Sequence, residues 1–171
     1  MGAITRVGRW TMVAALGIVT TGLVGSPPPA QGLEIVALGH HEFATTASQL
    51  TLQRLFPNLR IDSSAVGDFS IFTPIPATIG RKLVGVFVCY TTTNAATFIT
   101  DTSVAQFLVP GAPALLFTDS TDQASTTGLC YAAFAPGGGV TVGGSVLLQL
   151  NLHFGAPGQA IFIGAIGAAF E

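Results

Sequence analysis

The stretch VLLQLNLHF, residues 146–154, decides the fold class of this 171-residue chain. Every second residue is apolar, and the residues between them include Gln149, Asn151 and His153. Successive side chains of an extended strand point to opposite faces, so a period of two indicates a half-buried strand. The stretch therefore predicts a β-strand with one buried face and one largely polar face.

Similar patterns extend outward from this strand in both directions. Gly and Pro at residues 155–158 predict a turn, and residues 159–170 form a second, more apolar run, so the C-terminal part predicts a hairpin. Upstream, residues 83–92 read as a central strand buried on both faces. Residues 129–135 predict another strand, and residues 33–38 an edge strand.

The number of such runs predicts the architecture. We count seven to nine short strands separated by turn signals, which favours an all-β, antiparallel β-sandwich of jelly-roll-like type. Residues 44–56 fit a helix no better than a strand and stay open. Prolines at 57, 74 and 76 predict that residues 57–79 are irregular or edge-like.

The N-terminal segment predicts where the chain works. Arg6 and Arg9 precede an uncharged apolar run at residues 11–24, followed by a proline-rich segment, which is the layout of a secretory signal peptide. We therefore predict a signal peptide at residues 1–30, cleaved near Ala30, and one β-sandwich domain at residues 31–171. The mature protein is then secreted, periplasmic or at the cell surface, without a transmembrane helix. A retained N-terminal anchor is the alternative.

Charge excludes one class of partner. Residues 31–171 carry eight acidic and four basic residues, a net charge of −4, which cannot neutralise a nucleic-acid backbone. Only 8% of the whole chain is charged, against roughly a quarter in a typical globular protein. A surface with so little charge predicts self-association or a cell-surface or wall partner.

Two cysteines, Cys89 and Cys130, follow the leader. In an exported chain an even count predicts one disulfide. Each is followed by a tyrosine, Tyr90 and Tyr131 respectively, which indicates neighbouring strands with similar surroundings. A two-cysteine metal site is the alternative, but no histidine lies close to either cysteine in sequence.

Two short clusters are candidate metal sites. On an extended chain His40 and Glu42 share a face, but zinc needs three or four converging ligands, so an exposed polar turn is the simpler interpretation. Asp119 and Asp122 offer oxygen ligands for calcium. Their loop lacks the alternating acidic pattern of a calcium loop, which favours an Asx turn instead.

Catalytic signatures are missing from the sequence. The chain has no Gly-x-Ser-x-Gly elbow, and its glycine clusters lack the lysine of a phosphate-binding loop. We therefore predict a protein that is not an enzyme and needs no cofactor. Strand parity assigns most of the twelve phenylalanines to the core, including Phe87, Phe98, Phe107, Phe117 and Phe154.

The sequence thus predicts an exported, non-enzymatic structural or adhesive surface module that self-associates. The alternative is a carbohydrate- or other ligand-binding β-sandwich using Tyr90, Tyr131, Asp119 and Asp122. Two further readings are less favoured. An outer-membrane β-barrel would need aromatic girdles, whereas the one tryptophan lies in the leader. A hydrolase would need the histidines at 40 or 41 to meet His153 and an acid.

Overall fold

A computed structural model describes residues 32–39, 42–108 and 113–171 of the chain. The predicted signal peptide, residues 1–30, lies outside these ranges and stays a prediction. The described residues form two antiparallel sheets and a short 3-10 turn at Pro136–Gly138, with no α-helix. Their strands are β1 Glu34–Leu38, β2 Leu50–Leu55, β3 Asn58–Ser63, β4 Gly67–Ile75, β5 Lys82–Thr92, β6 Phe98–Phe107, β7 Ala114–Asp119, β8 Leu129–Phe134, β9 Val140–Thr141, β10 Ser145–Phe154 and β11 Ala160–Phe170.

The predicted all-β sandwich is confirmed. The described ranges contain eleven strands rather than seven to nine, partly because β2 and β3 form a hairpin where the sequence left the structure open or irregular. The segment at residues 44–56 therefore contributes a strand, not a helix. Within the described ranges no helix is long and apolar enough to cross a membrane.

The larger sheet contains seven strands, and β5 and β11 form its centre. Its main order is β2-β3-β11-β5-β8; β1 also pairs with β11, and β9 also pairs with β5. Cys89 on β5 and Cys130 on β8 lie directly opposite each other and form a disulfide. The predicted disulfide is confirmed, and it is consistent with an oxidising, extracellular compartment.

The smaller sheet has the order β4-β10-β6-β7. The diagnostic stretch at residues 146–154 lies in β10, between β4 and β6. A bulge in β6 places an extra residue, Thr100, opposite Asn151 and Leu152. The free edge of β4 is partly covered, since Ala44 exchanges two backbone hydrogen bonds with Phe72.

The predicted C-terminal hairpin is wrong. Strand β10 pairs with β4 and β6, whereas β11 pairs with β1, β3 and β5 in the other sheet. The turn at residues 155–159 therefore carries the chain from one sheet to the other. Two apolar strands that a turn joins can lie in different sheets, because their apolar faces then pack against each other across the core of the sandwich.

The core lies between the two sheets. The inward face of β10 and the inward residues of β11 are almost completely buried, which is the alternation that the sequence predicted for β10. Five polar residues are also buried, four of them threonines. The outward faces of the two sheets consequently carry the side chains that meet solvent, and these faces differ strongly.

Candidate functional site

The outward face of the smaller sheet presents a continuous array of partly buried side chains from three neighbouring strands. Ser70 and Phe72 come from β4, and the other members come from β6 and β10; register places Asn151 between Ser70 and Asp101, and Gln149 between Phe72 and Ser103. We call this array the polar face: Ser70, Phe72, Asp101, Ser103, Gln149 and Asn151.

Asp101 organises one half of the polar face. Its carboxylate accepts hydrogen bonds from Ser103, from Asn151 at 3.2 Å, from Thr118 at 2.6 Å and from Ser120 at 3.2 Å. The donors come from three strands and the loop after β7. Hydrogen bonds to a carboxylate are stronger than neutral ones, so this carboxylate fixes the hydroxyl and amide groups around it.

Gln149 and Asn151 connect this centre to β4. The Asn151 Oδ1 atom accepts from Ser70 Oγ at 2.6 Å and from Gln149 Nε2 at 2.9 Å. Within the part of the chain that the structure describes, Gln149 Oε1 accepts no hydrogen bond. The Gln149 amide is therefore held in place through its nitrogen, while its oxygen, Oε1, is available to accept a hydrogen bond from a ligand.

The two ends of the polar face are chemically different. At one end His153 Nδ1 lies 2.7 Å from Asp68 Oδ1, and the Phe98 ring lies beside the imidazole with centroids 5.0 Å apart. Phe98 is thus on the outer face, not in the core as predicted, because the bulge in β6 shifts the strand's alternation there.

At the other end the polar face runs into a cleft of about 230 Å³. Ala105, Leu115 and Leu147 supply its apolar wall, and it shares Ser103 and Gln149 with the polar face. We call it the Leu147 cleft. Phe107 also lines it and is 38% exposed, so its assignment to the core is wrong as well.

Charge is segregated between the two sheets. The strands of the smaller sheet contain Asp68, Asp101 and Asp119 and no lysine or arginine. The basic residues of the described ranges lie in or next to strands of the larger sheet: Arg54, Arg60, Arg81 and Lys82. The polar face consequently disfavours anionic ligands and suits neutral ones.

A second and larger depression lies on the outward face of the larger sheet. It has a volume of about 610 Å³ and is lined by the disulfide, Gly164, Phe162, Leu129 and Asn58, among others. We call it the disulfide groove. Its lining is mainly apolar, with Asn58 and Thr91 among its polar side chains.

The tyrosines predicted to bind a ligand face the interior. Tyr90 is only 3% exposed, and its ring meets that of Tyr131 edge to face at 5.8 Å. Tyr131 reaches across to the smaller sheet, where its hydroxyl shares a 2.6 Å hydrogen bond with Thr102. Both therefore pack between the sheets, because the disulfide occupies the outward positions beside them.

Burial changes the acidity of both tyrosines. Loss of solvent raises the pKa of Tyr90. It also raises the pKa of Tyr131 strongly, and the nearby Tyr90, Asp119 and Asp101 raise it further, whereas the Thr102 hydrogen bond lowers it. Both shifts have the same origin, since a buried phenolate would lose the solvation that stabilises its charge.

The predicted acidic pair lies beside the polar face. Asp119 ends β7, and its Oδ1 accepts a hydrogen bond from the Thr121 backbone N–H at 3.0 Å, as in an Asx turn. Asp122 is exposed in the same loop. Ser120 connects this loop to Asp101, so these two residues lie next to the polar face without belonging to its network.

The predicted metal site is only partly visible. His40 and His41 lie outside the described residues, and Glu42 is exposed at the start of its segment. In the ranges that the structure describes, no group of three or more His, Cys, Asp and Glu side chains is placed to hold a metal. His153 meets Asp68 and Phe98 instead.

No family model matches this chain, and no curated protein matches it in sequence. Its fold is similar to those of solved carbohydrate-binding modules. A TmCBM61 structure in complex with β-1,4-galactotriose has 7% identity and a TM-score of 0.47, covering 81% of this chain and 88% of the module. A mutant of the family 29 module CBM29-2, complexed with cellulohexaose, has 7% identity and a TM-score of 0.48, covering 80% of this chain and 91% of the module. Family 29 module 1 from Piromyces equi has 11% identity and a TM-score of 0.43, covering 80% and 90%.

These comparisons correct the main functional prediction. The solved structures with a similar fold are carbohydrate-binding modules, whereas the main prediction was a structural or adhesive module. The low charge that suggested self-association has another consequence in the structure, since Ser, Thr, Asn and Gln side chains form an ordered polar face. At 7–11% identity the likeness concerns the fold alone.

Proposed function

We propose that this protein is an exported, non-catalytic carbohydrate-binding module whose ligand lies on the polar face of the smaller sheet. The observation that carries the proposal is the hydrogen-bonded array around Asp101, Asn151 and Gln149, next to the partly exposed rings of Phe72 and Phe98. Sugars combine many hydroxyl groups with apolar ring faces, so they suit a surface that offers fixed polar groups beside aromatic rings.

The array suits a polyhydroxylated ligand for an energetic reason. Ordering flexible side chains on binding costs roughly 0.5–1.5 kcal/mol for each immobilised side chain. On the polar face the Asp101, Asn151 and Gln149 side chains are already held by one another. A sugar hydroxyl that donates to Gln149 Oε1 would gain a hydrogen bond without this cost.

The ligand should be neutral. The four strands of the smaller sheet hold three aspartates and no basic residue, so uronic-acid or sulfated polymers would be repelled. The outward face from Leu147 to His153 on β10 extends over about 20 Å at the usual rise per residue, which suits an oligosaccharide rather than a single sugar.

Titration calorimetry with neutral β-linked hexasaccharides tests the proposal; we would use cellohexaose, mannohexaose and chitohexaose. At least one should bind, and Gln149→Ala should weaken that binding about tenfold, the effect of losing one well-placed hydrogen bond. Asn151 keeps its Ser70 partner in this variant, so the fold should persist.

Gln53→Ala is the matched control. Gln53 is an exposed glutamine on β2 of the larger sheet, where its amide donates to Asp62 at 3.2 Å. Its loss should leave the affinity unchanged. Failure of all three sugars to bind at millimolar concentration, or an equal effect of both glutamine substitutions, would contradict the proposal.

Export forms part of the proposal. It is supported by the confirmed disulfide, together with the predicted signal peptide at residues 1–30. Intact-mass analysis of the protein recovered from outside the producing cell should give a chain that begins near Gln31 with two hydrogens fewer than the reduced form. A chain retained in the cytoplasm with free thiols would overturn this part.

A further inference from the structure

We propose that the Leu147 cleft receives the N-acyl group of an amino sugar, so that the protein prefers N-acetylated oligosaccharides to unsubstituted ones. This inference rests on the proposed function, because it assumes that the sugar ring lies on the polar face. It goes further by naming the chemical class of the sugar and the residues that select it.

The position of the cleft is the first argument. Leu147 lies two residues before Gln149 on β10, and side chains with this spacing share a face about 7 Å apart. Ala105 on β6 lies opposite Leu147 in register, as Ser103 lies opposite Gln149. The row formed by Gln149 and Ser103 can form hydrogen bonds, whereas the next row, formed by Leu147 and Ala105, is aliphatic.

The size of the cleft is the second argument. Pockets that enclose a whole drug-sized ligand have roughly 300–1,000 Å³, whereas the Leu147 cleft has about 230 Å³. It therefore suits one part of a larger ligand, and its continuity with the polar face indicates which part: a substituent of a sugar bound there.

The chemistry of the boundary is the third argument. An N-acyl group has an N–H donor next to an apolar methyl group. Gln149 lines the cleft, and its Oε1 atom is an acceptor without a partner in the described part of the chain. The amide N–H can donate to this oxygen while the methyl group lies between Ala105, Leu115 and Leu147. A hydroxyl in the same place would satisfy Gln149 and leave the aliphatic walls without a partner.

Chitohexaose and cellohexaose provide the test, because they share a β-1,4-linked backbone and differ in the substituent at one ring carbon. Burial of one methyl group, together with the amide hydrogen bond, predicts that chitohexaose binds about tenfold more tightly. Both sugars are neutral, so the negative charge of the smaller sheet affects their two affinities equally.

Two variants locate the selectivity. Ala105→Leu adds volume to the wall of the cleft, and Leu115→Ser removes an apolar side chain from it that is 62% exposed in the folded protein. Each should reduce the ratio of chitohexaose to cellohexaose affinity to about one, as measured with both sugars on the same variant. Leu129→Ser, at a half-exposed leucine beside the disulfide groove, is the matched control and should keep the preference.

The outcomes separate this inference from the proposed function. Equal binding of the two sugars by the wild type, or a preference that survives both cleft variants, overturns the inference and leaves the proposed function standing. Binding of mannohexaose alone has the same consequence. Failure of all three hexasaccharides to bind overturns both.

Discussion

The outward faces of the two sheets differ although both are built from strands with the same alternation. On the larger sheet the outward side chains contact one another: the disulfide joins β5 to β8, the Phe87 ring covers Gly167, and Arg60 pairs with Asp62 while its guanidinium lies 5.6 Å from the Phe162 ring. On the smaller sheet they form a polar network that leaves Gln149 with an available acceptor.

This difference separates stability from binding within one sandwich. Three of these contacts, the disulfide, Phe87 on Gly167 and Arg60 on Phe162, link strands that are distant in sequence, so we expect them mainly to stabilise the fold. The network around Asp101 also links strands, but its amides and hydroxyls lie at the surface beside an open cleft. We therefore expect changes on the larger sheet to alter unfolding and changes on the smaller sheet to alter affinity.

The largest expected effect is removal of the disulfide. The bond between Cys89 and Cys130 spans 41 residues of sequence, for which the chain-entropy model gives about 4 kcal/mol. Cys89→Ala with Cys130→Ala should lower the free energy of unfolding in urea by about this amount. Sugar affinity at low denaturant should stay within about twofold of the wild-type value, since the polar face lies on the other sheet.

A reducing agent provides the matched control for this experiment. It should destabilise the wild type to the level of the double variant and leave the variant unchanged. A loss of binding in the folded, disulfide-free protein would break the proposed separation between the two faces.

A smaller effect is expected where Phe87 covers Gly167. A Cβ atom at position 167 would come within 2.2 Å of the Phe87 ring, so Gly167→Ala should displace the ring and cost about 1–2 kcal/mol. In a Phe87→Ala background the nearest remaining contact of this Cβ atom is the Val36 carbonyl oxygen, at 3.1 Å, and the same change should cost much less. Chemical denaturation of the four proteins measures this coupling; additive effects would contradict it.

The smallest expected effect is a loss of stability at alkaline pH caused by Tyr90 and Tyr131, which pack between the two sheets. Because burial raises the pKa of Tyr90 and Tyr131 in the folded protein, the unfolded chain releases their protons first as pH rises above about 10. Stability should be constant with respect to these groups below that pH and then fall, by up to about 1.4 kcal/mol per pH unit for each tyrosine.

Tyr131→Phe tests this assignment. The variant should lose about 1 kcal/mol at neutral pH, because Thr102 loses its partner, and it should show a shallower decline above pH 10 in urea unfolding. An unchanged alkaline profile would show that Tyr131 ionises normally in the folded protein.

The sequence was informative wherever a pattern is local. The alternation of residues 146–154 predicted β10 and its buried face, and the two Cys-Tyr pairs predicted adjacent strands that carry a disulfide. The sequence predicted less well which strands pair with each other. The C-terminal hairpin was predicted because β10 and β11 are neighbours in sequence, but a short turn can also carry the chain between sheets, and the sequence of the turn does not distinguish these cases.

The candidate site was only partly predictable for a similar reason. The polar side of β10, with Gln149 and Asn151, was visible in the alternation. Asp101 was not, because it gains its importance from donors on β7, β10 and the following loop. Tyr90 and Tyr131 were selected as aromatic residues beside the cysteines, but only the pairing of β5 with β8 shows that the disulfide takes the outward positions and directs both rings inward.

The sequence by itself determined the class of fold, the alternation within each strand and the disulfide, because these depend on side-chain periodicity and on the chemistry of residue types. The tertiary structure alone decided which strands share a sheet and hence which side chains meet on its outward face. The polar face and the Leu147 cleft depend on register between strands separated by about 40–80 residues in sequence, and that register is set by packing of the whole core.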